Sequence, residues 1–163
     1  MAKLGSWAPS QSKLVDSLVD VVVRHAPEGW TWAHLEVCMV AELYSGTVTV
    51  TAGERVLSGP ITEGHALGIL RELRHRMYVA GTGAWYTMTL DIDPDRTATA
   101  TYDYEGEPAF DPAPEPTVYL RDLQRYKRKD AHVPPWLREK IETTRSSGDS
   151  AADSFARWIQ GGL

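Results

Sequence analysis

Apolar residues in two segments of the chain recur with the period of a helix. Leu14, Leu18 and Val22 follow one another at intervals of four, which predicts an amphipathic helix over residues 12–25. A second apolar stripe of the same kind follows Gly59-Pro60 and predicts a helix from Thr62 to about Val79. The other face of that helix is rich in arginine, and we expect it to face solvent: Arg71, Glu72, Arg74, His75 and Arg76.

Other segments alternate between apolar and polar residues, which is typical of half-buried strands. The predicted strands are 30–39, 47–51, 55–57, 85–92 and 97–104. The first three would form a meander, with a turn at Ser45-Gly46, and the last two would form a hairpin closed by Asp93-Pro94-Asp95-Arg96. In the hairpin, one face would carry Tyr86, Met88, Leu90 and Ile92. Because the connections are short, the pairing should be antiparallel.

The last third of the chain begins with four prolines at positions 108, 112, 114 and 116, which predict an extended connection. Helical patterns return over 117–127, from Pro134 onward, and over 152–159. The expected fold is therefore α+β: one domain over 1–163, with an antiparallel sheet of about five strands packed against N-terminal, central and C-terminal helices. Residues 145–163 are expected to be a loosely attached C-terminal helix.

Length and composition restrict the class of protein. A chain of 163 residues is long enough to bury a core in one domain, and its only cysteine, Cys38, excludes an internal disulfide framework. We find neither a secretory signal pattern nor a run of about 18 apolar residues. These features predict a cytoplasmic protein that does not enter a membrane.

Negative charge is concentrated in one segment. Residues 91–115 contain eight acidic residues and one basic residue, a local charge of −7, whereas the whole chain carries −5. The rest of the chain is therefore slightly basic. Such a concentration of carboxylates favours a surface that attracts a positively charged partner.

The residues that could carry catalysis or bind a metal lack suitable neighbours in the sequence. His34 and Glu36 would share one strand face, but no third ligand is evident. Asp91, Asp93 and Asp95 resemble the start of a calcium loop, yet its sixth and twelfth positions are Arg96 and Tyr102. No G-x-S-x-G, H-E-x-x-H or Walker pattern occurs in the sequence. We therefore expect no catalysis, no metal and no cofactor.

A basic run between residues 121 and 129 is the one candidate for nucleic-acid binding. It contains Arg121, Arg125, Lys127, Arg128 and Lys129. The carboxylates of the adjacent acidic segment would repel the phosphate groups of a nucleic acid. We therefore interpret the basic side chains as a solvent-exposed helix face that docks against the acidic segment of the same molecule. No nucleic-acid partner is expected.

Aromatic motifs occur in a definite order along residues 12–140. The first helix is followed by a tryptophan that opens the first strand and then by the arginine-rich helix. Next in the chain are Trp85 at the start of the hairpin, Tyr102-Asp103-Tyr104 in its return strand, and Pro134-Pro135-Trp136-Leu137. This order resembles the YezG-like family of immunity proteins, which neutralise toxins used in bacterial competition. The resemblance implies a protein that binds a cognate toxin domain and has no catalytic activity.

The acidic hairpin is where we expect such a toxin to bind. Carboxylates held on a rigid hairpin can occupy the basic active site of a nuclease or of an enzyme that consumes nucleotides. The candidate toxin-binding residues are Asp93, Asp95, Asp103, Glu105 and Glu107, with Tyr104 as an aromatic anchor. Two alternatives remain open, namely a small-molecule-binding or enzymatic domain that uses a pocket near His34 and Glu36, and an adaptor subunit that inhibits nothing.

Overall fold

The computed structural model describes residues 9–62 and 64–146. Its helices and strands are α1 (Pro9–Val23), β1 (Trp32–Val40), β2 (Leu43–Ala52), β3 (Arg55–Pro60), α2 (Gly64–Arg76), β4 (Thr87–Ile92), β5 (Ala98–Asp103), α3 (Pro116–Arg125) and α4 (Pro135–Ser146), with a short 3-10 helix at Asp130–His132. The predicted α+β fold with a five-stranded antiparallel sheet is confirmed. The predicted helix at 152–159 lies outside the described residues, and of the segment 145–163 only residues 145 and 146 are included, at the end of α4.

The sheet has the order β3-β2-β1-β4-β5, and all neighbouring strands are antiparallel. The meander and the hairpin therefore join through β1 and β4, in a register that pairs Leu35 with Leu90 and Val37 with Met88. The helix α2 makes the crossover between the two units. This arrangement puts β1 in the centre of the sheet and leaves β3 and β5 at its edges.

Helices α1 and α2 cover one face of the sheet and form the larger core. Alternate residues of β1 and β4 point into this core and are fully buried, as are Leu18 of α1 and Leu70 and Leu73 of α2. The inward residues of the two central strands are Ala33, Leu35, Val37, Met88, Leu90 and Ile92. Except for the small Ala33, each of these side chains stabilises the fold by roughly 1.5–3 kcal/mol through burial of apolar surface.

A second, smaller core lies beneath α3 and α4. Val40, at the end of β1, packs there with Tyr86, Tyr119 and Leu137, and Trp136 contacts the rings of Tyr86 and Tyr119 edge-on at 5.3 and 5.7 Å. The extended connection predicted over 106–116 contains neither helix nor strand as far as residue 115, while Pro116 begins α3, and it leads from β5 into this second core. The two C-terminal helices thus cover only one end of the sheet.

The turn between β1 and β2 lies at Ala41-Glu42, so the prediction of a turn at Ser45-Gly46 is wrong. Ser45 and Gly46 continue the ladder and pair with Cys38 and Val37. Glycine is required at position 46 for another reason, because a Cβ atom there would lie 2.4 Å from Cγ2 of Ile61. A glycine inside a strand often marks such a close approach, and in the sequence the pair Ser45-Gly46 has the composition of a turn.

The prediction that Tyr86 shares a face with Met88 is also wrong. Strand β4 begins at Thr87, and the chain bends at Tyr86, so that Trp85 enters the larger core and Tyr86 the smaller one. Alternation of side chains holds only within a regular ladder. These two aromatic residues consequently connect the two cores.

Two arginines that were expected to face solvent are buried. Arg74 of α2 is 1% exposed; it forms two hydrogen bonds with the carboxylate of Asp122, at 2.7 and 3.0 Å, and donates to the Trp85 carbonyl at 2.8 Å. Arg128 is 4% exposed and donates to the carbonyl of Ala84 at 2.8 Å. The interpretation of the basic run as a wholly solvated face is therefore wrong at Arg128. In the described part of the chain, no helix is both long and apolar enough to cross a membrane.

Candidate functional site

Among residues 9–62 and 64–146, no element covers most of the width of the sheet face opposite α1 and α2. Twelve of its residues, all exposed or half-buried, define what we call the open face. They are Trp32, His34, Glu36, Thr47, Thr49, Thr51, Ser58, Thr89, Asp91, Thr99, Thr101 and Asp103. Six threonines appear because β-branched residues favour strands and their hydroxyl groups tolerate water.

One row of the open face crosses all five strands. It runs from Ser58 through Thr49, His34 and Asp91 to Thr99, each residue being the direct antiparallel partner of the next. Within this row, Thr49 and Ser58 are hydrogen-bonded at 3.1 Å and His34 Nδ1 lies 2.8 Å from Asp91 Oδ1. These side-chain contacts hold the row in one conformation and present a preorganised polar surface.

A second row contains Thr47, Glu36, Thr89 and Thr101, and its last two hydroxyl oxygens lie 2.5 Å apart. Next to the first row, Trp32 stacks on His34 with ring centroids 5.3 Å apart and an angle of 20° between the planes. Trp32 is 37% exposed. The open face therefore combines a fixed, partly exposed aromatic ring with a lattice of hydroxyl groups.

The open face has a negative charge. Of its twelve residues, Glu36, Asp91 and Asp103 are acidic and none is lysine or arginine. At one end, the acidic segment Glu105 to Glu107 continues directly from β5 and adds two further exposed carboxylates. This charge distribution suits a positively charged partner.

The acidic segment after β5 is anchored by specific contacts. Oδ1 of Asp103 accepts hydrogen bonds from the backbone N–H groups of Glu105 and Gly106 at 2.9 and 2.8 Å. The indole N–H of Trp136 donates to the carbonyl of Glu105 at 2.6 Å, and Lys140 pairs with Glu107 at 2.7 Å. Three of the predicted site residues, Asp103, Glu105 and Glu107, thus lie together beside α4, where the backbone is fixed and the side chains reach solvent.

Asp93 and Asp95 lie at the opposite end of β5. The six residues of β5, of which Asp103 is the last, span about 20 Å at roughly 3.4 Å per residue. The Asp95 carboxylate accepts a hydrogen bond from the Thr97 N–H at 2.8 Å, and this bond lowers the pKa of Asp95. The neighbouring Arg96 pairs with Asp20 of α1. The structure therefore does not bring all the predicted site residues into one cluster.

Tyr104, the predicted aromatic anchor, points into the molecule. Its hydroxyl group donates to the Met77 carbonyl at 2.9 Å, and its ring is partly buried against the larger core. Burial raises the pKa of this hydroxyl group. Trp32 is more exposed and lies on the open face itself, but its position in the sequence, next to Thr31 at the start of a strand, gave no sign of this role.

The alternative site near His34 and Glu36 has a clear geometry. Both side chains lie on the open face, as predicted, and the partner of His34 is Asp91, which sequence reasoning did not identify. Among residues 9–62 and 64–146, no group of three or more His, Cys, Asp and Glu side chains could hold a metal ion. Two cavities formed by the described residues lie elsewhere, one beside α1 and β3 and one between α2 and α3.

No protein-family model matches the chain, and no significant match occurs among curated proteins.

Proposed function

We propose that the protein is an immunity protein that binds and inhibits a cognate bacterial toxin domain without catalysis, and that it does so through the open face and the adjoining acidic segment. One observation carries the proposal. A five-stranded sheet presents a face with three carboxylates, no lysine or arginine, and an exposed, stacked tryptophan. A surface of this kind suits a partner with a basic site, such as a nuclease or an enzyme that consumes nucleotides.

The size of the surface supports the inclusion of the acidic segment. The four gaps of about 4.8 Å between five strands, and the six steps of about 3.4 Å from the row of Trp32 to the row of Asp103, give the open face a flat area of roughly 400 Å². A stable protein complex usually buries about 800 Å² on each partner. The open face alone is too small for such a complex, and the anchored segment that carries Glu105 and Glu107 extends it on the side of α4.

The charged and aromatic residues would contribute to binding in different ways. Exposed carboxylates at Glu36 and Glu105 would accelerate association through long-range attraction. Trp32 would supply desolvated contact area at low entropic cost, because its ring is already stacked on His34. Asp93 and Asp95, at the far end of the hairpin, would contact only a partner that spans the whole length of β5.

The experiment is co-expression with the product of the adjacent gene. We expect that product to inhibit growth alone, to be neutralised by this protein, and to co-purify with it. Glu36→Lys/Glu105→Lys should weaken the complex by a factor of ten or more, with an effect that shrinks as salt increases. Asp16→Lys/Glu28→Lys makes the same change in charge at exposed positions outside the open face and should have little effect.

Three results would reject parts of the proposal. If the neighbouring product is neither toxic nor bound, the immunity function is wrong. If it is bound but the charge-reversal variant retains full affinity, the interface lies elsewhere. If it is bound and remains fully active, the protein is an adaptor subunit.

A further inference from the structure

A cleft between α2 and α3 is lined by four arginines. It has a volume of about 450 Å³ and lies at the C-terminal end of β1, next to the Ala41-Glu42 turn. Helix α2 contributes Arg71 and Arg74, and helix α3 contributes Arg121 and Arg125. Within each helix the two residues are three or four positions apart, so both project from one face.

The positive charges in this cleft exceed the negative ones. Arg74 is neutralised by Asp122, and Arg121 pairs with Glu42, whose carboxylate also lines the cleft. Among the described residues, Arg71 has only a long contact to the Glu42 carbonyl, at 3.5 Å, and Arg125 lies over the ring of Tyr126 at 5.4 Å. Neither of these two guanidinium groups has a carboxylate partner in the described part of the chain. Two positive charges are therefore uncompensated within one cavity.

Like charges that are held together in a cavity repel one another, and an anion bound between them would remove that cost. We propose that this cleft is a binding site for a small phosphorylated molecule, with its phosphate group held by Arg71, Arg121 and Arg125. Guanidinium groups bind phosphate oxygens through paired hydrogen bonds. Donors that approach from two helices suit the three terminal oxygens of a phosphate group better than the two of a carboxylate. The volume lies within the range of small-molecule sites, about 300–1,000 Å³.

Glu42 has a specific place in this site. Its carboxylate forms an ion pair with Arg121, whose Nε lies 3.4 Å from Glu42 Oε2. The same carboxylate contributes a negative charge to the wall of the cleft. A phosphate group would have to compete with this carboxylate. Glu42 thus acts as an internal anion that weakens binding, and the cleft should bind phosphate more tightly without it.

The floor of the cleft is rigid. The side chain of Arg74 is 2% exposed and is fixed by Asp122 and by the Trp85 carbonyl. Asp122 also accepts a hydrogen bond from the Ala41 N–H at 2.6 Å, which ties the turn that carries Glu42 to α3. The binding arginines therefore extend from elements whose relative positions are set by a buried ion pair. Such preorganisation reduces the entropic cost of binding.

The test is isothermal titration of the purified protein with inorganic phosphate, pyrophosphate and adenosine monophosphate, with acetate as the carboxylate control. We expect saturable binding of at least one phosphate compound at one site per chain, and weaker binding of acetate. Arg71→Ala and Arg125→Ala should each weaken it about tenfold, a typical loss for one charge-assisted contact. Glu42→Gln should strengthen binding by a factor of about three or more, because it releases Arg121. Arg55→Ala removes an exposed arginine that does not line the cleft and should change nothing.

Several outcomes would overturn the proposal. These are the absence of saturable binding by all three phosphate probes, equal binding of acetate, equal loss in Arg55→Ala and the cleft variants, or weaker binding in Glu42→Gln. Far-UV circular dichroism of each variant separates a binding defect from misfolding. The substituted residues are exposed, so the variants should retain the fold. The result is independent of whether the open face binds a toxin.

Discussion

Asp122 of α3 and Arg74 of α2 form a buried ion pair with two hydrogen bonds, at 2.7 and 3.0 Å, and each side chain is only 2% exposed. The pair also links the rest of the molecule, because Asp122 accepts from the Ala41 N–H and Arg74 donates to the Trp85 carbonyl. It therefore joins α2, α3, the β1–β2 turn and the entry to β4. The pair thus ties α3, a helix of the smaller core, to α2, a helix of the larger one.

Asp122→Ala should destabilise the protein by about 3–5 kcal/mol, because the Arg74 charge would remain buried without its partner. Chemical denaturation monitored by tryptophan fluorescence measures this loss. The control is Asp130→Ala, which removes an exposed carboxylate paired with Arg138 and should cost about 1 kcal/mol or less. If the two variants lose similar stability, the buried pair does not hold the two cores together.

The sequence pattern predicted the sheet but could not predict this pair. Hydrophobic periodicity shows which residues of a helix face the core, and it assigns a charged residue such as Arg74 to the surface. The exception depends on a carboxylate that is 48 positions away in the chain. Contacts at that separation follow from how the helices pack, and packing is not encoded in the local period. The burial of Arg128 was missed for the same reason.

Gly46 illustrates a different limit, because its role depends on one side chain of another segment. A Cβ atom at this position would lie 2.4 Å from Cγ2 of Ile61, and a β-branched side chain has few alternative rotamers. Gly46→Ala should therefore cost about 1–3 kcal/mol, the usual penalty for overpacking. Thermal denaturation of Gly46→Ala, Ile61→Ala and the double variant would measure the coupling. The double variant should be more stable than the sum of the single losses predicts, and simple additivity would contradict the proposed clash.

Asp95 gives a prediction about pH. The hydrogen bond from the Thr97 N–H lowers its pKa in the folded protein. A carboxylate whose folded pKa is depressed contributes stability above its unfolded pKa, and this contribution disappears as the pH falls through the folded pKa. Asp95→Asn should therefore lower the melting temperature more at pH 7 than at pH 3. An equal difference at both pH values would show that the carboxylate charge does not matter to the turn.

The open face was only partly predictable. The alternation in β1 and in the hairpin placed His34 and Glu36 on one strand face, and Thr99 and Thr101 on another, but no local pattern shows that these faces form one surface. That conclusion requires the order of strands, in which β1 and β4 are neighbours although α2 separates them in the chain. The pairing of His34 with Asp91, 57 positions apart, follows only from this order. Conversely, the concentration of acidic residues over 91–115 was visible in the sequence. Its division into one group at Asp93 and Asp95 and another at Asp103, Glu105 and Glu107 was not.

Trp136 links the smaller core to the acidic segment, and its substitution tests whether that segment must be fixed for binding. Trp136→Phe removes the hydrogen bond to the Glu105 carbonyl and should cost about 1 kcal/mol, with some further loss of packing against Tyr86 and Tyr119. Because the segment is then held less firmly, the Glu105 and Gly106 amides should exchange with deuterium faster than in the parent protein. Hydrogen exchange followed by nuclear magnetic resonance measures this directly.

The matched control for Trp136→Phe is Lys140→Ala, which removes only the partly exposed ion pair with Glu107 and should leave both amides nearly as protected as before. If the proposed interface is correct, Trp136→Phe should also weaken binding of the neighbouring gene product through faster dissociation, since the carboxylates would be ordered only upon binding. Faster exchange with unchanged dissociation would mean that the partner does not use this segment, and the interface would then be restricted to the strands of the open face.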